Sequence, residues 1–295
     1  MSSSEDVLFS VKNALYLGAA QTAISDAAQL TGLTDEERVM RDILTHRAYI
    51  ELGSSEVVLN EVGQDEGHPG LKAVRLLAEV SKSNEYASAA EVVRGWIDDA
   101  SMSRNETAMV VAATVLCMVE DYETALKACH SGQGLENMAI GVQVLISMNR
   151  LDVASAQVSK MSEMDDDATL TQLATAWVGS RQGGRKLQEA YYIYQELGDK
   201  FAWTVKLHNG LACCQMQMER WDDAEAELLQ ALEKNAKDAD TLANLSLVSI
   251  YLGKPAARYI GMLQTVAPHH PMVVRMAKAE EAFDGAQEQT AVAAT

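Results

Sequence analysis

The residues whose types could do chemistry are an acidic run, two doublets containing histidine and a glycine pair. Asp165-Asp166-Asp167 could gather a divalent cation. A calcium loop, however, needs alternating oxygen ligands around a fixed glycine, and this run has neither. It reads instead as an acidic helix start that complements the helix dipole. Cys129-His130 and His269-His270 supply ligand types that zinc favours, but no second Cys or His pair lies at finger-like spacing. Gly132-Gln133-Gly134 lacks the glycine spacing and the preceding strand of a phosphate loop, so it reads as a turn before a helix at Glu136. No Gly-x-Ser-x-Gly nucleophile elbow occurs. No catalytic residue, metal site or cofactor is therefore expected.

The elements that would position any such site are helical. Hydrophobic residues make up 48% of the 295, charged residues 22%, and only 4 prolines interrupt the chain, which suits a folded all-α protein. Its apolar content leans on Ala, Leu, Val and Met, and small side chains let helices approach closely. The 14 methionines could form an adaptable surface, though filling a core is their commoner use. A formal net charge of -18 repels phosphate backbones and anionic lipid, which argues against nucleic acid and direct membrane contact. No window approaches a membrane span, and Met1 to Asp6 lack the basic start and apolar run of a signal peptide, so a cytoplasmic location is expected. Cys117, Cys129, Cys213 and Cys214 fit that compartment as free thiols. Adjacent Cys213 and Cys214 would point about 100° apart on a helix and make a poor disulfide pair.

A repeat runs through the whole chain. Its clearest unit spans Val205 to Asp238, with Leu211-Ala212 on a first helix and Trp221, Ala224, Leu228 and Ala231 on a second. Large-small on one helix, then aromatic, small, large and small on the next, is the tetratricopeptide pattern. Where two helix backbones cross, only a small side chain fits, and a bulky one three residues earlier fills the adjoining gap. Small residues recur at Ala23, Ala89, Ala125, Ala154, Ala190, Ala224 and Ala256, with Val58 in the second place. Four residues on, where the same face returns, stand Ala27, Val62, Val93, Cys129, Val158, Tyr194, Leu228 and Ile260, all apolar. The bulky position three earlier holds Tyr86, Tyr122, Leu151, Leu187 and Trp221. The expected fold is a right-handed solenoid of about eight tetratricopeptide-like helix pairs with a C-terminal capping helix.

Punctuation supports the division into pairs. Gly18, Gly53 and Gly253 follow leucines at the ends of first helices, where left-handed geometry is needed. Thr34 with Glu37, and Ser103 with Glu106, have the spacing of capping boxes. His68-Pro69-Gly70 and Pro268 to Pro271 break between pairs, and Gly183-Gly184 marks a turn inside one. Met272 to about Phe283 reads as a single capping helix. The solenoid thus spans 1–284, and 285–295 read as a disordered tail.

In such stacks the first helices line the inner surface. First-helix positions not committed to the packing register are Val110, Thr114 and Cys117; Gln143 and Ile146; Thr171, Thr175 and Val178; Asn209, Cys213 and Met216; and Leu247, Ile250 and Tyr251. This mixture of apolar and small polar side chains, with little positive charge apart from Lys206, suits an extended or hairpin segment of another protein. A clamp for a chaperone carboxylate tail would need a second cationic cluster beside Lys206 and Asn209, and none is present.

Two stretches go beyond the generic repeat. Leu8 to Ile24, containing Ala14-Leu-Tyr-Leu-Gly18, resembles the opening helix pair of the coatomer (COPI) epsilon subunit family. Glu219 to Glu225, Asp240 to Leu245, Leu252-Gly-Lys-Pro255 and His270 to Asp284 are similar to that family's C-terminal part. The middle, Gly53 to Gly184, matches mainly as a repeat. This resemblance implies a non-enzymatic coat subunit in a hetero-oligomer, bound to the C-terminal domain of the coatomer alpha subunit. It further implies a cytoplasmic protein, peripheral on Golgi membranes and COPI-coated vesicles, acting in Golgi-to-endoplasmic-reticulum and intra-Golgi transport. Membrane contact would then be indirect, through other subunits.

Two alternatives remain on the sequence. A tetratricopeptide adaptor of some other complex would keep the fold and the binding logic and change only the partner. An enzyme on a helical-hairpin scaffold would need titratable groups converging on one cavity. Most of the 42 Asp and Glu fall on exposed faces or helix starts, where solvation accounts for them.

Overall fold

A computed structural model describes residues 7–132 and 134–293, the last six of these by backbone alone. Met1 to Asp6, read above for a signal peptide, lie outside the described residues, as do Gln133 of the Gly132–Gly134 turn, Ala294 and Thr295. Among the described residues there are 17 helices and no strand. They form eight pairs and a final single helix: α1 (Phe9–Leu17) with α2 (Ala20–Gln29), α3 (Asp35–Glu51) with α4 (Ser55–Glu61), α5 (Pro69–Ser83) with α6 (Tyr86–Asp98), and α7 (Glu106–Met118) with α8 (Tyr122–Ser131). Then come α9 (Leu135–Ser147) with α10 (Leu151–Met164), α11 (Thr169–Gln182) with α12 (Gly184–Lys200), α13 (Val205–Gln217) with α14 (Trp221–Lys234), α15 (Ala239–Tyr251) with α16 (Ala257–Val266), and α17 (Pro271–Ala293). The chain divides into two compact units at Leu197 and Gly198.

The small-residue register explains the pairing. Ala23, Val58, Ala89, Ala125, Ala154, Ala190 and Ala224 are all buried at their helix crossings. Of the residues four further on, Ala27, Val62, Val93, Cys129, Tyr194 and Leu228 are buried and Val158 is partly so. Tyr86, Tyr122, Leu151 and Trp221 each open the second helix of a pair, so the bulky position fills the wedge beside the turn. The last pair departs from the register. Ala256 is the N-cap of α16 and only half-buried, and Leu263 takes the fully buried place instead of Ile260.

Each turn within a pair carries a residue with positive φ. Gly18, Gly53, Gly183 and Gly253 serve four of them, and Asn84, Glu120, Asn149 and Glu219 serve the others. Six turns share one bonding pattern. After α9, for example, Asn149 N–H donates to the Ile146 carbonyl at 2.9 Å and Arg150 N–H to that of Leu145 at 2.8 Å. This Schellman closure satisfies the last carbonyls of the first helix and aims the chain back for the second.

Several ends differ from expectation. Thr34 and Glu37 do form a reciprocal capping box on α3. The α7 cap is Asn105, whose side chain accepts from Ala108 N–H at 2.9 Å, and not Ser103, because the helix starts later than that spacing implied. Asp165 to Asp167 lie in the turn between α10 and α11 and not in a first helical turn, since α11 begins at Thr169. The last helix passes Phe283 and continues to Ala293. Its packing on the preceding pair rests on Met272 and Val273, and most of its later length is exposed.

Candidate partner-binding surface

First helices stack on first helices: α5 on α7, α7 on α9, α9 on α11 and, in the second unit, α13 on α15. This stacking decides which of the positions named from sequence reach solvent. Val110, Thr171, Val178 and Met216 are buried. Val178 packs with Ala139, Val142 and Ala174, and Met216 with Ala212, Leu245 and Val248, so both belong to the helix stack. Thr114, Cys117, Gln143, Ile146, Thr175, Asn209 and Cys213 are partly exposed, and Leu247, Ile250 and Tyr251 are open.

Polar members of the set also bond within the chain. Thr114 donates to the Val110 carbonyl at 2.8 Å and Thr175 to that of Thr171 at 2.8 Å, each back along its own helix. Asn209 donates to Thr241 Oγ1 at 2.7 Å, and its own carbonyl oxygen accepts from Asn244 Nδ2 at 2.9 Å. Asn209 therefore ties α13 to α15. Burial pushes the Cys213 thiol up to about 11, with the charge of Asp240 adding to the rise. It also pushes Cys129 up to about 12. These thiols are packing groups rather than nucleophiles. Among the described residues, all four cysteines are free and no cluster of three or more His, Cys, Asp or Glu could hold a metal.

The open members share one helix face. Leu247, Ile250 and Tyr251 stand at i, i+3 and i+4 on α15, exposed by 40%, 56% and 62%. The Tyr251 ring lies flat against that of Trp221, with centroids 4.0 Å apart and planes 5° from parallel. That stack fixes the tyrosine's orientation before any partner arrives.

In the first unit the chain closes on itself, which the periodicity did not reveal. Helix α1 packs against α11 as well as against its neighbours α2 and α3. The Asn13 side chain accepts a hydrogen bond from Thr169 Oγ1 in a buried contact. Arg47 on α3 binds both carboxylate oxygens of Glu136 on α9, one of them at 3.1 Å, and Tyr16 donates to the same Glu136 at 3.4 Å. Burial raises the Tyr16 phenol well above its usual range, and the adjacent Glu136 charge raises it further, so it stays a donor. Burial alone would lower the Arg47 guanidinium, but the charge and hydrogen bond of Glu136, together with Tyr16 and Glu51, make the net shift upward. Behind these contacts lies a cavity of about 310 Å³, lined in part by Lys12, Leu44, Glu106, Leu135 and Asp165. Among the described residues that line it, no nucleophile stands beside a base.

The fold is that of a tetratricopeptide-type repeat protein. Among solved structures of this class, the Cut9–Hcn1 hetero-tetramer of the APC/C matches 94% of this chain and 55% of its own at TM-score 0.63 and 13% identity. A tetratricopeptide repeat protein from Parabacteroides merdae matches 83% of this chain and 95% of its own at TM-score 0.59 and 12% identity. Those likenesses show the fold.

The family is shown by sequence. The family model described as coatomer epsilon subunit matches residues 4–291. Coatomer subunit epsilon-1 of Arabidopsis thaliana is 42% identical over 95% of this chain and 96% of its own. Coatomer subunit epsilon of Caenorhabditis elegans is 35% identical over 95% of this chain and 97% of its own. The chain belongs to the coatomer epsilon subunit family, and it is a structural component of a vesicle coat, not an enzyme. It is accordingly a member of the coatomer hetero-oligomer. No described helix is long and apolar enough to cross a membrane.

Proposed function

We propose that this chain binds and stabilises the C-terminal domain of the coatomer alpha subunit, and that through it the chain serves Golgi-to-endoplasmic-reticulum and intra-Golgi transport. The observation that carries the reading is the open apolar face of α15, with Leu247, Ile250 and the prestacked Tyr251 on a first helix. Such a face, with partly exposed Cys213 on the neighbouring first helix, has the composition of an interface core. The acidic balance of -18 fits a subunit that is peripheral on Golgi membranes and coated vesicles and is held there by other coat subunits. In the first unit, taken by itself, Thr114, Cys117, Gln143, Ile146 and Thr175 are partly exposed side chains of similar character.

Co-purification with the alpha C-terminal domain tests the reading. Leu247→Glu and Ile250→Glu should weaken a stoichiometric complex while the melting temperature stays within a few degrees of the parent. A complex indifferent to both changes would remove α15 from the interface. Absence of any complex would leave a coat subunit that is held by a different neighbour.

A further inference from the structure

Among the described residues, every helix but α17 belongs to a pair. Only the start of α17 is packed, where Met272 and Val273 lie against Leu242, Ala243 and Leu263 of the last pair. From Val274 to Gln287 every residue except Gly285 is exposed. Phe283, at 70%, is the most open of the large hydrophobic residues described. Met276, Ala279 and Phe283 stand at i, i+3 and i+7, the spacing of a seam between two helices.

The charges on α17 are sorted along its length. Arg275 and Lys278 lie in the first half, and Glu280, Glu281 and Asp284 in the second. No acidic residue stands between Asp240 and Glu280, so the two cations have no near counter-charge before them in sequence. Lys278 and Glu281 are three positions apart on the helix. Even so, none of the five side chains is held in an ion pair among the described residues. The helix dipole favours the opposite order of charge, so the sorting does not serve α17 alone. Turned end for end, the helix is its own complement.

We propose that α17 is a self-association element: the α17 helices of two copies of this chain pack antiparallel about a two-fold axis. Each basic first half then lies beside the acidic second half of the other copy. With Lys278 level with Asp284 of the other copy, Phe283 meets the small Ala279 there, large against small. A parallel pairing would set like charges together. An unrelated helix would need no such symmetry in α17. The overall charge of -18 repels two copies at long range, but salt screens charges beyond about 8 Å, and those on touching helices are closer. The pairing is therefore weak in dilute solution and favoured where copies are crowded together, as in a coat. It rests on none of the binding proposed above and needs no alpha subunit.

Sedimentation equilibrium of the full chain, from about 5 to 200 µM, suits so small an interface. The parent should show a monomer–dimer equilibrium, which Phe283→Glu weakens about tenfold or more. Arg275→Glu with Lys278→Glu makes α17 wholly acidic, and Glu281→Lys with Asp284→Lys makes it mainly basic. These four positions are exposed, so both proteins should keep the parent's circular dichroism and melting temperature. Each alone should self-associate about tenfold more weakly than the parent, and an equimolar mixture should return to within about threefold of it. A parent that stays monomeric across the range overturns the proposal. So does a dimer indifferent to both swaps, which would use another face. A mixture as weak as its components overturns the antiparallel pairing.

Discussion

Arg47 on α3 holds Glu136 on α9 with two guanidinium nitrogens, across 89 positions of sequence. Local periodicity places each of these residues on its helix. It cannot bring the second pair of the array against the fifth, because that closure depends on the accumulated rotation of all the pairs between them.

The ion pair should be costly to break and cheap to replace. Arg47→Ala leaves a largely buried carboxylate without its partner, and should destabilise by about 2–4 kcal/mol. Arg47→Met combined with Glu136→Leu should cost much less than the sum of the single changes, with a coupling of about 1 kcal/mol or more. Urea unfolding of the four proteins measures the cycle. Additive single effects would show that the two residues do not work as a pair.

Backbone crossings should resist added bulk at positions that look harmless in sequence. At Gly179 on α11, a methyl group would stand 2.7 Å from the carbonyl oxygen of Lys186 on α12, a backbone atom that cannot swing aside. Gly179→Ala should lower stability by about 1–3 kcal/mol through overpacking, despite its better helix propensity. Ala224→Leu, at a fully buried crossing of α13 and α14, should do the same. A Gly179→Ala protein melting above the parent would mean that the helices move apart at little expense.

These crossings were the most legible part of the fold. Seven of the eight small positions are where the spacing put them, since only a narrow side chain satisfies two close backbones at once. The eighth, Ala256, failed because Pro255 delays the start of α16 and Leu263 becomes the buried residue. Groove positions were less legible. Val178 and Met216 lie one turn from partly exposed Thr175 and Cys213, and whether such a side chain meets water depends on the neighbouring first helix, which one helix's pattern does not contain. His208 is the clearest omission: it is buried, its Nδ1 lies 2.8 Å from Glu227 Oε2, and it stacks on Trp203 at 5.0 Å. Its one signal was a histidine on an otherwise apolar helix face.

A turn residue gives the next prediction. Glu219 adopts φ of 60° between α13 and α14, a region where Cβ crowds the following carbonyl. Gly18, Gly53 and Gly253 solve the same turn without that strain. Glu219→Gly should therefore raise stability by up to about 1 kcal/mol, the relief being offset in part by greater freedom of the unfolded chain. Thermal unfolding with and without the change decides it. A lower melting temperature would show that the glutamate side chain contributes more than its backbone loses.

Asp121 joins two pairs and gives a prediction in pH. Its side chain caps α8 by accepting from Thr124 N–H at 3.3 Å, and it accepts from Nε and Nη2 of Arg94 on α6 at 3.0 Å each. Burial pushes this carboxyl up, but the Thr124 and Arg94 bonds together pull it below its ordinary value. A carboxyl depressed in the folded state stabilises fully above its unfolded pKa of about 3.9, and loses that contribution as pH falls through the lower folded value. Asp121→Ala should therefore cost about 1 kcal/mol at pH 7, the usual size of a lost cap with a partly exposed ion pair. The difference between variant and parent should shrink below about pH 4, where protonation removes the same interactions from the parent. Urea midpoints at pH 7, 5 and 3.5 follow this change. A difference that stays constant across the series would assign the effect of Asp121 to packing, with no part for its charge.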